Sequence, residues 1–170
     1  MTRSLRPVPA DALRAALRPH AAGVVVVTAA GERGPAGLTA TSFTPVSLTP
    51  PLVSFYIGQS ASAWHTVRDA DYFAVHVLGA RQRALATRFA TSGIDRFAAP
   101  TTWRPGPGGV PLLDGVVTQL VCAQLSTRPI GDHHLVLGTV VAVAHGPDDA
   151  GLVHRDGALV PVASSITQAS

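Results

Sequence analysis

The stretch Gly34-Pro35-Ala36-Gly37-Leu38-Thr39-Ala40-Thr41-Ser42-Phe43-Thr44-Pro45-Val46-Ser47, continuing as Leu48-Thr49-Pro50-Pro51-Leu52-Val53-Ser54-Phe55, decides how the chain is read. Its glycines and alanines carry little side-chain bulk, so a flat ligand can approach the backbone closely. Thr39, Thr41, Ser42 and Thr44 add hydroxyls that can donate to ring carbonyls or phosphate oxygens. Strand alternation sets Thr39 and Thr41 on one face, with Leu38, Ala40 and Ser42 on the other. By composition alone this is a Thr-rich strand running into a Pro-terminated loop.

Upstream, Ala22 to Ala30 is a β-branched run too uniform for a one-sided strand, so it is expected to be buried on both faces. Gly31-Glu32-Arg33-Gly34 turns it into the opening stretch as a hairpin. Before it, Pro9 to Leu17 reads as a short amphipathic helix stopped by Pro19. Downstream, Val46 to Pro51 reads as a loop and Leu52 to Ile57 as a third strand. Ser62 is placed to cap a helix running through Asp69. Tyr72 to Leu78 is a fourth strand, Ala80 to Ala90 an arginine-rich helix, and Gly93 to Gly109 an irregular loop. Val116 to Arg128 and His133 to His145 are two long strands joined through Pro129-Ile130-Gly131-Asp132. A short strand follows Gly151, and the polar tail Ser164 to Ser170 is expected to fray. Six or seven strands, two or three short helices and no strand-helix-strand rhythm predict a mainly β, α+β architecture, an antiparallel β-barrel with helices outside. The expected organisation is one domain over residues 1–170. Its core spans residues 20–162, residues 1–19 form an N-terminal helix region, and residues 163–170 are a flexible tail.

The chain has 170 residues, 46% of them apolar and 14% charged, which fits a globular protein with a sizeable core. A mean hydropathy of +0.28 is high for one small domain and points to a second copy covering part of the surface. All 13 basic residues are arginine, scattered without a run, and the net charge is +3, so no nucleic-acid-binding stripe is expected. Cys122 stands alone, which excludes a disulfide framework and a cysteine-based zinc site. His20, His65 and His145 lack metal-ligand spacing, so no metal is expected. Residues 1–20 carry no secretory core, and no apolar run is long enough to span a membrane. A cytoplasmic protein is expected.

The string from Ala36 to Phe43 resembles the Ala-Gly-(Met/Leu)-Thr-Ala-(Asn/Thr)-Ser-Phe signature of the flavin reductase-like, FMN-binding split-barrel family. Val46 to Leu52 resembles the Val-Ser-Leu-x-Pro-Pro-Leu that follows it there. Gly131-Asp132-His133-His134-Leu135-Val136-Leu137-Gly138 is similar to the family's Gly-Asp-His block. Val75-His76-Val77-Leu78, reaching Gln82, is similar to its Val-Asn-Val-Leu-x-x-x-Gln stretch, and Arg88-Phe89-Ala90 to its (Arg/Lys)-Phe-(Ala/Ser). The likeness runs from about Gly23 to Leu159.

That resemblance implies an FMN-binding split barrel working as an NAD(P)H:flavin oxidoreductase. Such a homodimer would use FMN or FAD with NADH or NADPH, and would feed reduced flavin to a separate monooxygenase. It implies flavin contacts at Gly37, Leu38, Thr39, Ala40, Thr41 and Ser42, with Phe89 near the ring. Ser60 and Ser62 would hold the phosphate, since a helix start and serine hydroxyls suit an anion. His133, the candidate catalytic residue, would wall the nicotinamide side. His134 would face the other way along the strand. His154 and Arg155 would lie near the active site. Three positions depart from the pattern. His76 replaces an asparagine. No basic residue stands at or near Gln59, so Arg88 or another arginine of that helix would have to supply the charge. Ala158 and Leu159 stand where relatives have arginine and tyrosine. Two other readings stay open: an enzyme of this fold holding FMN tightly and acting on an organic substrate, and a non-catalytic flavin-binding protein.

Overall fold

The β-branched run beginning at Val24 is buried from both sides in the computed structural model, which describes residues 6–32 and 34–162. A short helix α1 (Ala10–Ala16) and a two-residue strand β1 (Ala22–Gly23) lead into β2 (Val25–Gly31). Val25, Val27 and Ala29 face one core cluster, shared with Phe55, Ile57, Phe73, Val75, Cys122 and Val136. Val24 and Val26 face another, shared with Leu78, Ala86, Phe89, Leu113 and Leu152. Strand alternation alone divides the run in this way.

The chain then forms β3 (Gly34–Ala40), β4 (Thr44–Leu48), β5 (Pro51–Gly58), helix α2 (Trp64–Asp69) and β6 (Tyr72–Val77). A 3-10 turn at Ala80–Gln82 enters helix α3 (Arg83–Ala90), and β7 (Trp103–Pro105) pairs with β8 (Pro111–Leu113). The long hairpin β9 (Thr118–Ile130) and β10 (His133–His145) precedes a final pair, β11 (Leu152–Arg155) and β12 (Ala158–Pro161). Seven strands make one antiparallel sheet in the order β3-β2-β6-β9-β10-β5-β4. The chain leaving β3 is drawn to β5 where the Ser42 hydroxyl accepts from the Tyr56 N–H at 2.9 Å and donates to the Tyr56 carbonyl at 3.2 Å. The sheet is thus a barrel left open along one seam. α2 seals the first cluster with Trp64 and Val67, and α3 covers the outer side of β2 and β3. Among the described residues no helix is long and apolar enough to cross a membrane.

Several expectations are corrected. The loop expected from Val46 to Pro51 is largely strand, because β4 pairs with β5 around a bulge at Val46. Pro45 is compatible with this because β4 is an edge strand, where a missing N–H costs no ladder bond. Pro129 and Ile130 belong to β9, so only Gly131 and Asp132 turn the hairpin, with Gly131 at φ 60°. Ser62 caps nothing: α2 begins two residues later, after Ala63, without a side-chain cap. The helix expected from Ala80 is a 3-10 turn followed by α3. The single strand expected after Gly151 is a hairpin that pairs with β1. The tail from Ser164 to Ser170 lies outside the described residues.

His76 has a structural account. Its Nδ1 donates to the Val26 carbonyl at 3.1 Å, and its Nε2 accepts from the Leu113 N–H at 3.1 Å. The neutral ring therefore bolts β8 to the barrel, and Gln119 completes the joint by donating to the Leu113 carbonyl at 3.0 Å. Burial pushes the His76 pKa down to about 4. An unfolded chain takes up this proton near pH ~6.5. Between there and about 4 only the unfolded state holds it, so stability falls as the pH drops through that window. Comparing denaturant midpoints at about pH 7.5 and about pH 5 should show a loss of roughly 2 kcal/mol from this source. His76→Asn should remove most of that difference. An equally steep pH dependence in the variant would exclude His76 as its cause.

Candidate functional site

β3 has neither face free. A Cβ on Gly37 would lie 2.7 Å from Phe89 Cε1 and 2.9 Å from the Val27 carbonyl. Thr39 Oγ1 donates to the Ala86 carbonyl at 2.6 Å, so its hydroxyl is spent on α3. Leu38 and Ala40 turn into the barrel core. Gly37 is small because Phe89 occupies the space beside it. Phe89 itself is 1% exposed and supports β3 from beneath without reaching the surface.

What β3 offers is its edge. In an antiparallel edge strand, alternate residues turn both N–H and C=O away from the neighbouring strand. The Gly37 carbonyl points outward and accepts from Arg96 Nη1 at 3.0 Å. By the same alternation the Thr39 N–H and C=O point outward too. Thr41 is exposed just past the strand, whereas the Ser42 hydroxyl is committed to Tyr56.

Arg96 organises the neighbouring cleft of about 330 Å³, lined by residues 34–37, Ser62, Ala63, Thr66 and residues 94–97. It donates to the Thr91 carbonyl through Nε and Nη2, at 3.1 and 2.8 Å, and to Ser62 Oγ through Nη1 at 3.2 Å. With the Gly37 bond, four donor contacts are made out of the guanidinium's five N–H groups. The charge and one N–H remain for an anion. Arg88 is committed elsewhere: it donates to the carbonyls of Arg96, Asp95 and Ala98, at 3.1, 2.7 and 3.0 Å. It builds the loop that carries Arg96 and does not line the cleft. Sequence reasoning passed over Arg96; the signal was its place in Asp95-Arg96-Phe97, directly after the Arg-Phe-Ala block.

The segment at 58–63 connects this cleft to His133. Gly58 faces His133 across the β5–β10 ladder, and His133 Nε2 lies 3.9 Å from where a Gly58 Cβ would sit. Gln59 donates its N–H to the Asp132 carbonyl and its side chain to the Gly131 carbonyl, both at 3.1 Å. The absence of a basic residue here thus has a use: Gln59 latches the β9–β10 turn to β5. Ser60 is exposed in the same turn. His133 Nδ1 meets Asp132 Oδ1 at 2.6 Å. A carboxylate can only accept, so Nδ1 carries the hydrogen and Nε2 is the ring nitrogen left for another partner. The same bond holds the Asp132 carboxyl below the usual carboxylate range. His134 points the other way, stacked on Trp64 at 3.8 Å and 11°.

His154 and Arg155 stand apart from this band. They lie on β11, and Arg155 lines a cleft of about 430 Å³ with Arg18, Pro19, Asp156, Ala158 and Val160. That cleft shares no residue with the one around Arg96. Leu159, opposite His154, packs beside Leu78, Phe89 and Leu152 as part of the core. Among the described residues no group of three or more histidine, cysteine or acidic side chains could hold a metal ion.

Residues 17–163 match the family described as "Flavin reductase like domain". An NADH:FMN oxidoreductase of Rhodococcus qingshengii is 43% identical over 148 residues, covering 85% of this chain and 77% of the relative. The reductase subunit of a flavin-dependent monooxygenase from Mycobacterium tuberculosis is 31% identical over 134 residues, covering 79% and 71%. A solved NADH:FAD oxidoreductase of Streptomyces globisporus, in complex with NAD and FAD fragments, aligns with a TM-score of 0.87 and 34% identity. That alignment spans 97% of this chain and 99% of the other.

The contact beneath β3 can be tested directly. Gly37→Ala should destabilise the protein by about 1–3 kcal/mol, the usual cost of overpacking a core. Phe89→Leu in the same chain should recover part of that loss, because it withdraws the ring from the added methyl. Equal destabilisation by Gly37→Ala in both backgrounds would show that the contact is not the cause.

Proposed function

Because the chain belongs to the flavin reductase-like family, we infer that it is an NAD(P)H-dependent flavin reductase. It would act in the cytoplasm as a homodimer and supply reduced FMN, or FAD, to a partner monooxygenase. The observation that carries this reading is a rim of outward polar groups on neighbouring segments: the Thr39 backbone, the remaining N–H of Arg96 beside Ser62, the exposed Ser60, and His133 Nε2. The rim fits a flavin nucleotide. The pyrimidine edge of an isoalloxazine is a row of donors and acceptors, which an outward N–H and C=O on an edge strand complement. The phosphate finds a fixed arginine flanked by serine hydroxyls.

The flavin, when bound, supplies acceptance of a hydride at N5, and the protein's contribution is to align two rings and keep them aligned. In this reading Thr39 orients the flavin through its backbone, and Arg96 and Ser62 fix the phosphate end. His133 offers Nε2 to the carboxamide N–H₂ of the nicotinamide. Asp132 keeps that ring in the tautomer the contact needs. No residue on the rim has to move a proton for the hydride to pass.

NADH consumption in air, with and without added FMN, tests the reading: turnover should require free flavin. Turnover only with an organic substrate, or flavin binding without turnover, would replace it by another function. His133→Ala should raise the KM for NADH roughly threefold to tenfold, the worth of one hydrogen bond, while leaving FMN affinity nearly intact. His134→Ala, on the Trp64 side, should leave that KM unchanged. Equal effects of the two changes would show that the nicotinamide has been placed wrongly.

Assembly rests on exposed apolar side chains. Leu48 is 91% exposed, and Leu125, Val141 and Val143 are each more than half exposed. A second copy is the simplest cover for them. Sedimentation at micromolar concentration should give a dimer, and a monomer would overturn this part.

A further inference from the structure

The outer face of the β5–β10–β9 corner carries a cation that the reading above does not use. We propose that Arg128 binds a phosphate of the nicotinamide dinucleotide and so helps to select the second substrate. The proposal rests on the reading of the chain as a nicotinamide-dependent flavin reductase.

The register places the groups. Leu135 lies between Tyr56 on β5 and Arg128 on β9, so the three form one row on one face. His133, two residues along β10, lies between Gly58 and Ile130 in the next row of the same face. The opposite face of this corner carries Ile57, fully buried, and His134 on Trp64, so the outer assignment of the row is fixed. Strand spacing puts Tyr56 and Arg128 about 10 Å apart, with the His133 row about 7 Å further along. The diagonal from His133 to Arg128 is therefore about 7–8 Å at the backbone. That interval matches the span of a nicotinamide ribotide from carboxamide to 5′-phosphate. Between the two ends, Gly58 presents no side chain and Leu135 is half-buried, which gives a low apolar floor for the ring and ribose.

Arg128 is exposed and, among the described residues, makes no hydrogen bond or ion pair. Arg18, Arg68, Arg81, Arg88 and Arg96 are each tied to a carboxylate or a carbonyl, whereas Arg6, Arg83, Arg104 and Arg155 also show no side-chain partner but lie outside this corner. The carboxylate of Asp132, at the end of the corner, is held on His133 Nδ1. An arginine kept free of partners beside a histidine acceptor suits a ligand with an amide at one end and a phosphate at the other.

The test is calorimetric titration of FMN-loaded protein with NAD+, nicotinamide mononucleotide and nicotinamide riboside, none of which turns over. Arg128→Ala should weaken NAD+ and the mononucleotide roughly fivefold, on the scale of a solvent-facing charge contact. It should leave the riboside, which has no phosphate, unchanged. The wild-type advantage should shrink as salt rises, and Arg128→Lys should restore part of it. Equal weakening of all three ligands, or none, overturns it, provided that FMN affinity shows the variant to be folded. Wild-type protein that neither binds NAD+ nor oxidises NADH would overturn the reductase reading itself, and this proposal with it.

Discussion

The ring of Phe89 lies under Gly37 so closely that a single methyl there would sit 2.7 Å from its Cε1. Much of the site depends on that contact. It joins α3 to the barrel's edge strand, and the Thr39–Ala86 hydrogen bond beside it fixes the register of helix against strand. Phe97 then packs edge to face on Phe89 at 5.3 Å, and Trp103 on Phe97 at 5.6 Å, so the loop after α3 inherits its position from the same ring. Arg88 gathers the carbonyls of that loop, which sets Arg96 against the Gly37 carbonyl. A cation, a strand edge and a hydroxyl are thereby held in one geometry by packing below them, with no charge partner needed at the surface.

The other half of the site is hung from β5. Its last residue, Gly58, leaves room in front of His133, and the next, Gln59, ties down the β9–β10 turn. Residues 58–63 then carry the chain across to Ser62 and Arg96. The two halves are therefore coupled by a short, well-bonded segment, and Ser42 holds the seam between β3 and β5 near the same place. For a reaction in which a hydride passes directly between two bound rings, relative placement is the protein's main contribution, and in the proposed site this segment would supply it.

The non-catalytic reading turns on the C-terminal hairpin, where Ala158 and Leu159 depart from the family pattern. There His154 and Arg155 sit on a separate sheet, and Leu159 has joined the core cluster with Phe89 and Leu152. The hairpin thus serves the interior of this chain, and its exposed Arg155 lines a different cleft.

The sequence alone determined the barrel and its longer strands, whereas β4 read as a loop and the β11–β12 hairpin as a single strand. The β-branched run at Val24 had to be buried on both faces, and the alternation at His133-His134 had to separate the two rings. Both follow from the period of a strand, which is a local property of the backbone. The clustered Gly-Thr-Ser stretch and the Gly-Asp-His turn also pointed to the neighbourhood proposed as the site, because each needs particular residue types at fixed spacing. What only the tertiary structure decided is which groups in that neighbourhood remain free. Thr39 and Ser42 read as ligand donors, yet their hydroxyls are consumed by Ala86 and Tyr56, partners 47 and 14 residues away. Phe89 read as a ligand contact and is a support. Arg88 read as the candidate for the phosphate charge, yet it turns toward its own loop and Arg96 toward the cleft. A side chain's availability depends on the partners that folding brings to it, and those partners lie too far along the chain for local pattern to name.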